Sequence, residues 1–150
     1  MKDKVVVITG ATSMIGRACA QLFSKQEMKL MLVGRSLEKL KEMASNLPGT
    51  VEIAAVDSCS EKEIKAMLQR TISLLGHIDA VIQNVAIYPW KCIEELTLEE
   101  WQKTLNTNLT SAFLTTQGAF NEMKHKIKKI ILAFSGGLDT TVILHWLKKT

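Results

Sequence analysis

Glycine, alanine and hydroxyl residues crowd one short stretch near the start of the chain, Thr9-Gly10-Ala11-Thr12-Ser13-Met14-Ile15-Gly16. It lies between a β-branched run and a segment whose apolar residues recur at helical spacing. Small residues at such a strand-to-helix turn let the backbone approach a pyrophosphate. The helix N-terminus then supplies free N–H groups and the positive end of its dipole. An ordinary strand-to-helix turn has the same composition, so this loop alone decides nothing. A second stretch, Ser135-Gly136-Gly137-Leu138-Asp139-Thr140-Thr141, follows another apolar run and reads as a different phosphate loop. The three cysteines, Cys19, Cys59 and Cys92, are far apart and suggest neither a metal site nor a disulfide framework.

The elements that position these loops are legible from the apolar period, which switches repeatedly between strand and helix. Val5 to Thr9, Leu30 to Val33, Val51 to Val56, Ile78 to Ile82 and Lys129 to Phe134 read as strands. Helices are expected between them. One carries Ile15, Cys19, Leu22 and Phe23. The next carries Leu37, Leu40 and Met43, with Ser36 as N-cap, and is stopped by Pro48-Gly49. Ser60 with Glu63 predicts a capping box for a helix through Leu75, ended by Gly76. Thr97 with Glu100 predicts another, opening a long helix to about Met123. A last helix is expected from Leu138 to Leu147. This alternation predicts an α/β fold, a doubly wound parallel sheet of five strands in the order 3-2-1-4-5. Ligands of such sheets bind at the carboxyl ends of the strands, so chemistry is expected just after residues 9, 34, 56, 84 and 134.

A chain of 150 residues, 47% apolar and 23% charged, has the balance of a globular protein and excludes disorder as the main reading. No apolar run approaches the roughly 18 residues of a membrane span, and the opening run is too short for a signal peptide's core, so the expectation is cytoplasmic, with no membrane partner. The net charge of +4 owes part of its excess to Lys124-His125-Lys126-Ile127-Lys128-Lys129. Without interleaved aromatics this reads as a solvated helix end, and no nucleic-acid partner is expected.

The first loop resembles the cofactor loop of the short-chain dehydrogenase/reductase family, Thr-Gly-x-x-x-Gly-x-Gly. Gly10 and Gly16 match, and Met14 stands at the middle glycine, placing a side chain where the pyrophosphate should approach. Further matches follow in order. Arg35 follows Gly34 at the second strand's end, where arginine in the family accompanies NADP. Asp57 stands where the family's aspartate contacts adenine. Gln83-Asn84-Val85-Ala86 occupies the place of Asn-Asn-Ala-Gly, with Asn84 retained, and Trp101, Asn108-Leu109 and Phe113 match the long helix whose asparagine supports a proton relay. The resemblance spans about residues 3–124. It implies a Rossmann-like fold that binds NADP or NAD through Thr9, Gly10, Thr12, Ser13, Met14, Ile15, Gly16, Arg35, Asp57, Asn84 and Ala86, with Asn108 as the one catalytic-type residue carried over and no metal.

The family next needs a serine and then Tyr-x-x-x-Lys. The chain's single tyrosine, Tyr88, lies elsewhere, although Ser135 falls near the serine's place. Residues 127–150 instead resemble the opening strand, PP-loop and helix of argininosuccinate synthase. That resemblance implies ATP, with Mg²⁺, held by Ala133, Ser135, Gly136, Gly137, Asp139, Thr140 and Thr141. The expectation is one domain over 1–150, with a reductase-like portion over 1–126 joined to the ligase-like segment. It would bind a small-molecule nucleotide and be inactive as a chain of this length. The alternatives are the start of a longer ligase with a reductase-like extension, or a fusion without a biochemical task. Dimerisation is left open.

Overall fold

The computed structural model describes residues 2–122 and 129–132. The elements are β1 (Val5–Ile8), α1 (Met14–Lys25), β2 (Lys29–Gly34), α2 (Leu37–Ser45), β3 (Val51–Ala55), α3 (Glu61–Leu75), β4 (Ala80–Gln83), α4 (Leu98–Leu105), α5 (Ser111–Glu122) and β5 (Lys129–Leu132). The five strands form one sheet in the order β3-β2-β1-β4-β5, as expected. Every pairing is parallel, including β4 with β5 from Ala80↔Lys129 to Gln83↔Leu132.

Both faces of the sheet are covered, which is why its central strands carry continuous apolar runs instead of alternating polar residues. Alternate residues feed two cores. Val5, Val7, Met31, Val33 and Val81 pack with Ile64, Met67 and Leu68 of α3 and Ala119 of α5. Val6, Ile8, Leu30, Leu32 and Ile82 pack with Ala20 of α1 and Leu40 and Met43 of α2. The reversal of strand order at β1 therefore opens a crevice between β1 and β4, with helices on opposite faces to either side.

Three expectations need correction. The fourth strand starts at Ala80, not Ile78, because Asp79 has another task. Its carboxylate accepts from the Val5 N–H at 2.9 Å and the Lys4 ammonium at 3.0 Å, and it pairs with His77 Nε2 at 2.7 Å. Burial opposes ionisation of Asp79, but these donors outweigh it and hold the carboxyl below its usual range. Ser60 does cap α3, but the reciprocal half of the box is absent: the Glu63 carboxylate accepts from the Asp57 N–H at 2.8 Å instead. The box at Thr97 and Glu100 is complete. The expected long helix is interrupted by a π-helical turn over Asn106–Thr110, between α4 and α5. The helix expected over residues 138–147, and the loop holding Ala133, Ser135, Gly136, Gly137, Asp139, Thr140 and Thr141, lie outside the described residues. Among the described residues no helix is long and apolar enough to cross a membrane.

Candidate functional site

The carboxyl ends of β1, β2, β3 and β4 converge on one cavity of about 250 Å³. Gly10, Thr12 and Ser13 line it from the first loop, Gly34 and Arg35 from the end of β2, and Val56, Asp57, Ser58 and Cys59 from the end of β3. Asn84 to Ile87 line it after β4, and Thr107 reaches it from the π-turn. The places expected after residues 9, 34, 56 and 84 thus meet in space. The fifth, after residue 134, lies outside the described residues.

The first loop is built by geometry that only small residues permit. Gly10 has φ +59°, and a Cβ there would sit 2.5 Å from the Asn84 carbonyl oxygen. At Gly16 a Cβ would meet the Gly10 carbonyl oxygen at 2.5 Å, so the first turn of α1 packs directly under the loop. Ser13 caps α1, its Oγ accepting from the Gly16 N–H at 3.1 Å. Asn84 ties the two strand ends together: its Nδ2 donates to the Gly10 carbonyl at 3.1 Å and to Ser13 Oγ at 2.6 Å. The Gly10 carbonyl can only accept, which fixes the orientation of the Asn84 amide.

Not every expected residue lines the cavity. Thr9 is fully buried beneath it; its hydroxyl accepts from the Asn84 N–H at 3.2 Å and contacts the Ile82 carbonyl and Gln83 Oε1 at 3.2 and 3.0 Å. It shapes the floor and does not reach the space. Met14 and Ile15, at 90% and 60% exposure, stand on the first turn of α1 with their side chains in solvent and outside the lining, as is Gly16. The Met14 side chain therefore does not fill the cavity. Seven of the eleven expected binding residues do line it: Gly10, Thr12, Ser13, Arg35, Asp57, Asn84 and Ala86.

Asn108 also stands back from the space. Its Oδ1 accepts from the Ile87 N–H at 2.8 Å, and its Nδ2 donates to the Ile87 carbonyl at 2.9 Å. Ile87 lines the cavity, so Asn108 acts on the site as a positioning residue through the loop after β4. That loop is held a second time where Lys91 pairs with Glu100 of α4 at 2.5 Å. This contact, helped by the Thr97 N–H, depresses the Glu100 carboxyl to about 2. Tyr88 packs edge-on against Trp90, with ring centroids 5.2 Å apart, and both are exposed outside the lining.

The ionisable residues of the lining are Arg35, Asp57 and Cys59. Among the described residues Arg35 makes no ion pair. Asp57 Oδ1 accepts from the Cys59 N–H at 2.9 Å, an Asx turn that orients the carboxylate at the end of β3. Sequence reasoning missed Gly34, Val56, Ser58, Cys59, Val85, Ile87 and Thr107. Most are neighbours of expected residues, whereas Thr107 depends on the π-turn, which carries no local composition signal.

A family model described as short chain dehydrogenase matches residues 4–138. The match runs past residue 126 and through Ser135-Gly136-Gly137-Leu138. An uncharacterized oxidoreductase of Thermotoga maritima is 31% identical over 126 residues, covering 82% of this chain and 49% of that protein. The NADP-dependent (R)-specific alcohol dehydrogenase of Lentilactobacillus kefiri is 32% identical over 128 residues, 84% of this chain and 51% of that one. A solved short chain dehydrogenase from Bacillus anthracis superposes with a TM-score of 0.85 at 26% identity, covering 98% of this chain and 71% of that one. The chain spans about half the length of the curated relatives it matches.

Proposed function

Because the chain belongs to the short chain dehydrogenase family, we propose that its cavity binds a nicotinamide dinucleotide, NADP in preference to NAD, as the cofactor part of an oxidoreductase. The observation that carries this reading is the first loop. Its backbone passes so close to Asn84 that no Cβ fits at Gly10, leaving a bare concave turn beside the N-terminus of α1. That is a cradle for a pyrophosphate. Thr12 and Ser13 flank it with hydroxyls, and Asp57 offers a carboxylate oxygen toward an adenine amine. Arg35 offers a guanidinium suited to a 2′-phosphate. When bound, the dinucleotide supplies a hydride donor or acceptor. The chain's own residues shape and hold: Asn84 and Thr9 fix the loop, and Asn108 fixes Ile87.

Among the described residues the lining holds no tyrosine or lysine, so we assign to this part of the chain binding and positioning and no proton transfer. The ligase-like alternative rests on residues outside those described, and none of the relatives above is an ATP-dependent ligase. ATP with Mg²⁺ is therefore not part of this reading.

Fluorescence titration with NADPH and NADH tests it. Saturable binding of NADPH, tighter than NADH and lost in Arg35→Ala to the level of NADH, is expected. No saturation at millimolar NADPH overturns the reading.

A further inference from the structure

The cofactor cavity does not end at Arg35 and Asp57. A second open pocket of about 540 Å³ adjoins it and shares Arg35, Asp57, Cys59 and Thr107 with it, so the two form one continuous cleft. The outer wall of this extension is α4, which contributes Glu99 and Lys103. These residues lie four apart and share a helix face, and Thr107, four residues further on, lines both spaces.

Two cations from different elements thus border the same opening, Arg35 from the end of β2 and Lys103 from α4. Among the described residues neither is in an ion pair, even though Glu99 is spaced to meet Lys103 on one helix face. Folding does not use this charge. A dianionic ligand group in the opening would.

We propose that Lys103 is a specificity-determining residue that, with Arg35 from the facing wall, selects an adenosine 2′-phosphate over a plain ribose hydroxyl. This rests on the cofactor reading above. A phosphate monoester brings close to two negative charges, three acceptor oxygens and no need of a fixed direction from an ammonium. Lys103 therefore serves as a mobile point charge and Arg35 as the planar, two-pronged donor. Glu99, on the same wall, works against them by lowering the local positive potential. Lys103 and Glu99 thus make opposite predictions from neighbouring positions.

Calorimetric titration with 2′,5′-ADP and with 5′-AMP isolates the adenosine end of the site and needs no hydride chemistry. Lys103→Met is expected to weaken 2′,5′-ADP about three-fold, the size of a solvent-exposed charge contact, and to leave 5′-AMP unchanged. Glu99→Gln is expected to strengthen 2′,5′-ADP by a similar factor. Both effects shrink as salt is raised. A Lys103→Met protein that keeps wild-type affinity for 2′,5′-ADP, or loses both nucleotides equally, overturns the role of Lys103 while leaving the cofactor reading standing. Failure of the unsubstituted chain to bind either nucleotide overturns the cofactor reading itself.

Discussion

Asn108→Ala tests how the site is held. The Asn108 amide closes a two-way clasp on Ile87, accepting its N–H at 2.8 Å and donating to its carbonyl at 2.9 Å. Alanine removes both partners at once. A net hydrogen bond contributes about 1 kcal/mol, and a buried backbone group left unpaired costs about 1–3 kcal/mol. Both bonds are only partly buried, so water reaches one group or the other, and the total belongs near 2 kcal/mol. With a urea m-value of about 2 kcal/mol per molar, reasonable for a chain of this size, the midpoint should fall by about 1 M. The loop after β4 should also lose its fixed place over the cavity, weakening NADPH binding.

Asn108→Asp separates the two halves of the clasp. The carboxylate still accepts from the Ile87 N–H but sets a second oxygen against the Ile87 carbonyl, exchanging an attraction for a repulsion between lone pairs. It should therefore be at least as destabilised as alanine at neutral pH and recover part of the loss in acid, where the protonated group donates again. A midpoint within about 0.2 M of wild type for Asn108→Ala, together with unchanged NADPH affinity, would refute the positioning argument.

Gly10→Ala should abolish NADPH binding and cost about 1–3 kcal/mol of stability, because a side chain at φ +59° is strained and its Cβ meets the Asn84 carbonyl at 2.5 Å; a wild-type urea midpoint would count against the cradle. Asp79→Asn should destabilise by about 1–3 kcal/mol, because the charge and one of the two oxygens that serve Val5, Lys4 and His77 are lost and an NH2 donor takes that oxygen's place. Because the folded Asp79 carboxyl titrates below its ordinary 3.8, its share of wild-type stability is complete above that pH and lost as pH falls below it. The urea midpoint of Asp79→Asn should therefore converge on that of wild type in strong acid, and a constant gap down to pH 2 would refute the assignment. Saturating NADPH should slow iodoacetamide labelling of Cys59, which lines the cavity, and leave Cys92, exposed outside it, reacting as before; equal rates at Cys59 with and without cofactor, read by peptide mass, would place the nucleotide elsewhere.

The strand order could be read from the sequence because the central strands β1, β2 and β4 are buried and each connection is long enough for a helix. The period switch at Gly10, Gly34 and Gly76 then marks the turns without ambiguity. What escaped was hydrogen bonding between residues far apart in the chain. Ser60 and Glu63 have capping-box spacing, yet the Glu63 carboxylate serves the Asp57 N–H, because the capped serine's own N–H already donates to the Asp57 carbonyl at 2.9 Å. Nothing within four residues of Glu63 reports this. The π-turn at Asn106–Thr110 is likewise invisible to period analysis, since one extra residue per turn shifts a helix face without breaking the run.

The same distinction separates the expected residues that line the cavity from those that hold its walls. Arg35 and Asp57 follow the ends of β2 and β3 and line the cavity. Thr9, Asn84 and Asn108 carry polar groups of the same kinds but spend them on backbone or loop partners: Thr9 on Ile82 and Asn84, Asn84 on Gly10 and Ser13, Asn108 on Ile87. The glycine turn closes on itself where the Ser13 N–H donates to the Gly10 carbonyl at 3.1 Å, and the Ala11 N–H ties it to the Val33 carbonyl at 3.0 Å. Further donors and acceptors come from outside it. Asn84 and Thr9 supply them across the gap between β1 and β4, and Asn108 does the same for the opposite wall. Changes at these three residues should therefore lower folding stability and nucleotide affinity together. Changes at Arg35 should lower affinity alone.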